Sequence, residues 1–273
     1  LTPGGWDPLF LMRSAMFEAL RPAGFSLSGL TDWPSFGDYA NLLQDRGIAN
    51  ANGLPLRFVA QGTRTENPED KYEARIYLKG EVQVRNESWH DLFNALVWLT
   101  FPKSKAALNR RHFLALQKMI SEGGPNRGPV QDALTLFDEG GVLVATSDPG
   151  LAQLLVDFKW KELFWGNRDA VIAKMKFVLF GHAIYEKALQ PFTGVTGRAV
   201  IFSVDADYFA AALEQRLQML DEKLARYLSD ARHFNRTAEL APVPILGIPG
   251  WNAENERESY YGNEAYFRPR RNA

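Results

Sequence analysis

Ser88-Trp89-His90-Asp91-Leu92-Phe93-Asn94-Ala95-Leu96-Val97-Trp98-Leu99-Thr100-Phe101 is the stretch on which the reading of this chain turns. Ser88 is a good helix N-cap, and Asp91 stands three residues on, where its carboxylate can reach back to the cap's backbone N–H. Beyond Asn94 the run to Phe101 has no polar face. A helix built from it must therefore be buried nearly all round, and Pro102 ends it. Polar groups in the first turn of such a helix invite a functional reading. His90 and Asn94 share one face at a spacing of four, with Asp91 beside them.

The neighbours of this helix extend the pattern. Pro102 suits the first turn of a second helix reaching about Ser121, with Leu108, Phe113, Leu116, Met119 and Ile120 facing a core. Its polar residues Lys103, Lys105, Arg110, Arg111 and Lys118 are basic, against Glu122 alone. This face is either solvated or a contact for an anionic small molecule or nucleic acid. Asn109 and His112 share a stripe with Lys105 and extend the polar set. Upstream, Tyr72 to Arg85 alternates apolar and polar residues around Gly80, which predicts an antiparallel hairpin with Arg75 and Arg85 on its polar face. Downstream, Leu134 to Thr146 predicts a second hairpin turning at Asp138-Glu139-Gly140-Gly141. Asp132, ahead of it, is expected to turn inward or to pair with Arg127, in the Gly- and Pro-rich loop around Gly123-Gly124-Pro125.

Elsewhere the spacing predicts helices over 8–20, 35–44, 149–160 and 205–228, the last capped by Asp205, with strands over 56–60 and 198–203. A long helix over 167–189 would put His182 on an apolar stripe with Glu186 one turn on and room beside Gly181. Residues 241–273 are aromatic and proline-rich without period, and read as an extended tail laid on the domain. No repeat or linker divides the 273 residues. The expected fold is therefore α+β: one mostly helical domain with small antiparallel hairpins.

Composition narrows the function by exclusion. With 31 Lys plus Arg against 32 Asp plus Glu, no global field draws in nucleic acid or acidic membranes. There is no cysteine, which removes disulfides, thiolate metal sites and cysteine nucleophiles and fits a reducing compartment. No apolar run reaches the roughly 18 residues of a membrane span, and no signal pattern opens at Leu1. A soluble, cytoplasmic protein is expected.

The pieces Trp89-His90-Asp91-Leu92-Phe93-Asn94-Ala95-Leu96-Val97-Trp98, Phe101-Pro102-Lys103, Leu108-Asn109, Asp132-Ala133-Leu134-Thr135-Leu136-Phe137-Asp138-Glu139, Phe180-Gly181-His182 and Gly247-Ile248-Pro249-Gly250-Trp251 together resemble the bacterial domain-of-unknown-function family numbered 3025. The resemblance covers most of the chain and implies a bacterial protein. It brings no activity, cofactor or catalytic residue with it.

Phosphate-loop, dinucleotide, zinc-protease and serine-hydrolase motifs are all absent from the sequence. What remains is a set of hard N and O groups: His90, Asp91, Asn94, Asn109, His112, Asp132, Glu139, His182 and Glu186. Such groups suit zinc, manganese, iron or magnesium, and a bound divalent metal activates water. The expectation is a hydrolase with His90, Asp91 and Asn94 at the chemistry and His90, His182 and Asp132 on the metal. Asn109, His112, Glu186, Arg75 and Arg85 are further pocket candidates, and the substrate would bear phosphate or another anion. The order of these groups after a hairpin faintly resembles the metal fingers of some nucleases, although His90 opens a helix. The alternative is a non-enzymatic binding or interaction protein in which the same residues form a structural network.

Overall fold

The architecture is that of a computed structural model describing residues 5–63, 67–122 and 128–270. The N-terminal segment, expected as one helix, winds as short 3-10 turns over Phe10–Met12 and Ala15–Leu20 into α1 (Arg21–Gly24). After α2 (Phe36–Leu43) come β1 (Arg57–Ala60), α3 (Tyr72–Lys79) and β2 (Glu81–Val84). Then follow α4 (Trp89–Thr100), α5 (Pro102–Ser121), α6 (Pro129–Gly140), β3 (Gly141–Thr146), α7 (Pro149–Val156) and α8 (Arg168–Lys174). The chain closes with β4 (Met175–Leu179), α9 (His182–Ala188), β5 (Thr196–Ser203), α10 (Asp207–Ala210), α11 (Leu213–Ser229) and β6 (Ala241–Pro244).

α4 is the central element that its sequence demands. Val97 is 0% and Trp98 1% exposed, and α4 packs on α9, α5 and α1. α5 in turn lies along α11, α3 and α6. The four-stranded sheet has the order β4-β3-β5-β6. Its inner strand β3 is buried at all six positions, as its continuous Val-Leu-Val run requires, and runs parallel to β5 and antiparallel to β4.

The fold is α+β and mostly helical, but neither expected hairpin forms. Tyr72–Lys79 is a helix because an eight-residue run fits both periods; Ala74 and Ile76 are its buried positions. Gly80 ends this helix rather than turning a hairpin, at φ 68°, with its N–H on the Ile76 carbonyl at 3.0 Å. β2 then pairs with β1 in parallel, Phe58 opposite Val82. Likewise Pro129 starts a helix, and Ala133, Leu134 and Phe137 form its buried stripe. Asp138 therefore sits in a helix's last turn, and β3 begins at once with Gly141.

The long helix expected over 167–189 is split by β4, whose Phe-Val-Leu run is taken by the open edge of β3. The helix expected over 205–228 is similarly divided into α10 and α11, with Asp205 outside both. The tail is less extended than its prolines suggest. It gives β6 to the sheet and buries Tyr261 in a 3-10 turn and Tyr266 and Phe267 in the turn that follows. Among the described residues no helix is long and apolar enough to cross a membrane.

Candidate functional site

A polar cleft of about 440 Å³ opens where the first turn of α4, the start of α9, the last turn of α6 and the faces of α3 and α5 meet. His90, Asp91 and Asn94 come from α4, and His182 from the first position of α9, where the strand–helix junction at Gly181 delivers it. Tyr72 and Glu73 come from α3, His112 from α5, Thr135, Asp138 and Glu139 from α6, and Arg85 from the segment after β2.

Its centre is a pair of imidazoles. His90 Nε2 and His182 Nε2 lie 3.0 Å apart, with the rings edge to face at 85°. On the far side of each ring stands a carboxylate. Glu186 Oε2 is 3.1 Å from His90 Nδ1 and Asp138 Oδ2 is 3.7 Å from His182 Nδ1. His182 is nearly buried and His90 half-buried. Burial pushes His182 down to about 4; Asp138 opposes this while Lys105 and His90 add to it.

Asp138 is itself enclosed. Burial pushes its carboxyl up, but Lys105, His182 and His112 together outweigh that and hold it below its ordinary value. The Lys105 ammonium donates to Asp138 Oδ1 and to Asn94 Oδ1, the latter at 3.0 Å, with its side chain only 4% exposed. Asn94 Nδ2 then donates to the Tyr72 hydroxyl at 2.6 Å. Burial, with Glu73 and Asp138 assisting, pushes the Tyr72 phenol well above its usual value.

Around this core the groups are structural. Asp91 does not reach back to the Ser88 N–H. It accepts from the Arg85 backbone at 2.7 Å and from the guanidinium at 2.8 and 2.9 Å, tying the exit of β2 to α4. This contact with Asp91 raises the Arg85 pKa. Asn109 donates to the Glu73 carbonyl and carboxylate, fixing α3 against α5.

Several expected site residues lie elsewhere. Asp132 is exposed on α6 and does not line the cleft; the inward carboxylate is Asp138, six residues on. Arg127, its alternative partner, and the 123–125 loop fall outside the described residues. Arg75 faces Asp70 and Glu81, so it does not share a face with Arg85. On the basic helix Lys105 is buried, Lys103 pairs with Glu222 at 2.8 Å, and Arg111 donates to the Leu228 and His233 carbonyls. Among the described residues no three His, Asp or Glu side chains form a metal-ligand group.

Sequence reasoning missed Tyr72, Glu73 and Gln83, and gave Asp138 to a turn. The signal for Asp138 was available: it completes the 133, 134, 137 stripe at helical spacing, so it had to face inward. No curated protein and no solved structure matches the chain. The family model described as "Protein of unknown function (DUF3025)" matches residues 56–271, from β1 to the tail and so across every element that lines the cleft, and the chain belongs to that family.

Proposed function

We propose that the cleft is a divalent-metal hydrolytic centre for a phosphate-bearing or otherwise anionic substrate, with the cation held between His90 Nε2 and His182 Nε2. The convergence of the two Nε2 atoms at 3.0 Å in an acidic cleft carries this reading. A carboxylate only accepts, so Glu186 asks for a proton on His90 Nδ1, whereas Asp138, 3.7 Å from His182 Nδ1 and not hydrogen-bonded to it, favours a proton there by its charge alone. With both protons on Nδ1 the neutral rings turn their Nε2 lone pairs on each other across 3.0 Å; with the His182 proton on Nε2 the same contact is a ring-to-ring hydrogen bond, the form that the metal-free pair would take. A cation between them would take both lone pairs and send the His182 proton to Nδ1, toward Asp138. The carboxylates behind the rings then act as the outer partners that orient metal-binding histidines.

The local field favours the same ligand. Among the described residues Glu73, Asp91, Asp138 and Glu139 line the cleft against Arg85 alone of the arginines and lysines, with Lys105 buried behind Asp138, so an anion is received more readily when a cation comes with it. Two protein nitrogens leave coordination positions for water and substrate oxygens. A metal held there would lower the pKa of bound water and polarise a phosphoryl oxygen.

The test is calorimetric titration of chelator-treated protein with manganese and zinc, beside hydrolysis of bis(4-nitrophenyl) phosphate. Wild type should bind one ion, and His90→Ala and His182→Ala should each lose both binding and turnover while still folding. Absence of binding and turnover in wild type would sink the reading. What would then stand is a non-enzymatic network, a reading favoured by the mutual satisfaction of Arg85 with Asp91, Lys105 with Asp138 and Asn109 with Glu73.

A further inference from the structure

We infer that the Tyr72 hydroxyl is a hydrogen-bond donor to a phosphoryl oxygen of the ligand bound in this cleft, with its direction imposed by Lys105 through Asn94. This deepens the preceding reading, and it needs the cleft to take a ligand but does not need the metal.

The argument follows the protons along the chain of contacts. A lysine ammonium has no lone pair, so the Asn94 atom that it meets at 3.0 Å is the amide oxygen. The amide nitrogen is thereby turned to Tyr72, 2.6 Å away, and the phenolic oxygen accepts there. Having accepted from Asn94, the hydroxyl must send its own proton elsewhere. Among the described residues it meets no acceptor: Asp138, Asp91 and Glu73 act on the phenol only through space. Tyr72 lines the same cleft as His90 and His182. Burial keeps the phenol protonated.

The result is a directed O–H, polarised by a buried ammonium two contacts away, at the wall of a site otherwise rich in acceptors. Glu73, Asp91, Asp138, Glu139 and Glu186 accept, Arg85 is held by Asp91 and Lys105 by Asp138. A ligand oxygen fits Tyr72 because it supplies the acceptor that the protein withholds. A phosphoryl oxygen fits best, because a charged oxygen is a stronger acceptor for this hydroxyl than a neutral one.

Inorganic phosphate is the probe. Calorimetric titration with phosphate, in the presence and absence of manganese, compares wild type with Tyr72→Phe and with Asn94→Leu, and thermal melts follow each protein. Tyr72→Phe keeps the ring and its packing, so its melting temperature should stay close to wild type while phosphate affinity falls about tenfold or more. Asn94→Leu should lose affinity in the same way by releasing the hydroxyl from its orientation. If Asn94→Leu fails to fold, the Tyr72→Phe comparison decides alone. Equal affinity in wild type and Tyr72→Phe overturns the inference, and so does a wild type that takes up no phosphate under either condition. Phosphate binding that depends on Tyr72 in a protein without metal uptake or turnover would keep this inference and remove the hydrolase. Turnover with a KM indifferent to Tyr72→Phe would do the reverse.

Discussion

Asp221 of α11 accepts the backbone N–H groups of Lys103 and Ser104, 118 and 117 residues earlier in the chain, at 3.0 and 2.7 Å, and so caps the start of α5. α5 has no side-chain cap of its own, because Phe101 occupies the cap position behind Pro102. The contact fixes the start of the helix that carries Lys105, Asn109 and His112.

Asp221→Ala therefore orphans the buried N–H of Ser104 and the part-buried N–H of Lys103 and should cost about 1–3 kcal/mol. Burial raises the Asp221 pKa, outweighing the hydrogen bonds from Ser104 and Lys103. A carboxyl raised on folding contributes most below its unfolded value and less as pH climbs through the folded one. The gap between wild type and variant should accordingly be widest in acid and narrow toward neutrality. Urea unfolding at several pH values measures this, and superimposable midpoints would refute it.

The Lys105–Asp138 pair makes a sharper prediction. Each charge is buried, so Lys105→Met alone leaves Asp138 uncompensated and Asp138→Asn alone does the same to Lys105. Either change should cost roughly 3–5 kcal/mol. The double variant should recover a good part of this, since the penalty belongs to the stranded charge rather than to the lost contact. Additive losses in a double-mutant cycle would show that the two side chains do not interact as described.

His182 gives the protein a pH dependence of definite sign. Its ring takes up a proton at about 4 in the fold against 6.5 for an ordinary histidine. Between those values the unfolded chain binds more protons, so stability falls as pH is lowered through that window, by roughly 3 kcal/mol for this group. In chelator-treated protein His182→Gln should flatten the stability–pH curve there. An unchanged slope would mean that His182 is not the buried neutral ring.

What could be read from the sequence follows from which residues leave no choice of period. Ala95 to Phe101 admits no exposed face, so the place of α4 was legible without tertiary information. Tyr72–Lys79 and the 175–179 run were not, because eight or five residues of mixed type take whichever period their neighbours offer. β4 exists because β3 has an edge to fill, and α3 because Gly80 ends a helix under Pro55. The meeting of His90 and His182, 92 residues apart in sequence, depends on both choices. Helical spacing alone put His182 mid-helix, whereas the inserted strand makes it the first residue of α9.

Gly181 is where that placement is most exposed to a single change. Its backbone abuts the junction of α6 and β3: a Cβ there would stand 2.3 Å from the Glu139 carbonyl oxygen and 2.5 Å from the Gly140 nitrogen. Both neighbours are main chain, so no side chain can swing aside. The φ of −65° is ordinary, and closeness alone requires glycine. The Gly181 N–H donates to the Gly141 carbonyl at 3.0 Å, which holds the start of α9 against β3. Gly181→Ala must push the two backbones apart, at a cost of about 1–3 kcal/mol as for other overpacked sites. Because His182 is the next residue, the displacement also widens the gap between the imidazoles. The variant should melt lower than wild type and, if the proposed metal site is correct, lose metal uptake even where it remains folded, and its His90 and His182 ring signals in NMR spectra should both shift. Wild-type stability with unshifted ring signals would show that the junction yields freely and that Gly181 does not hold His182 in place.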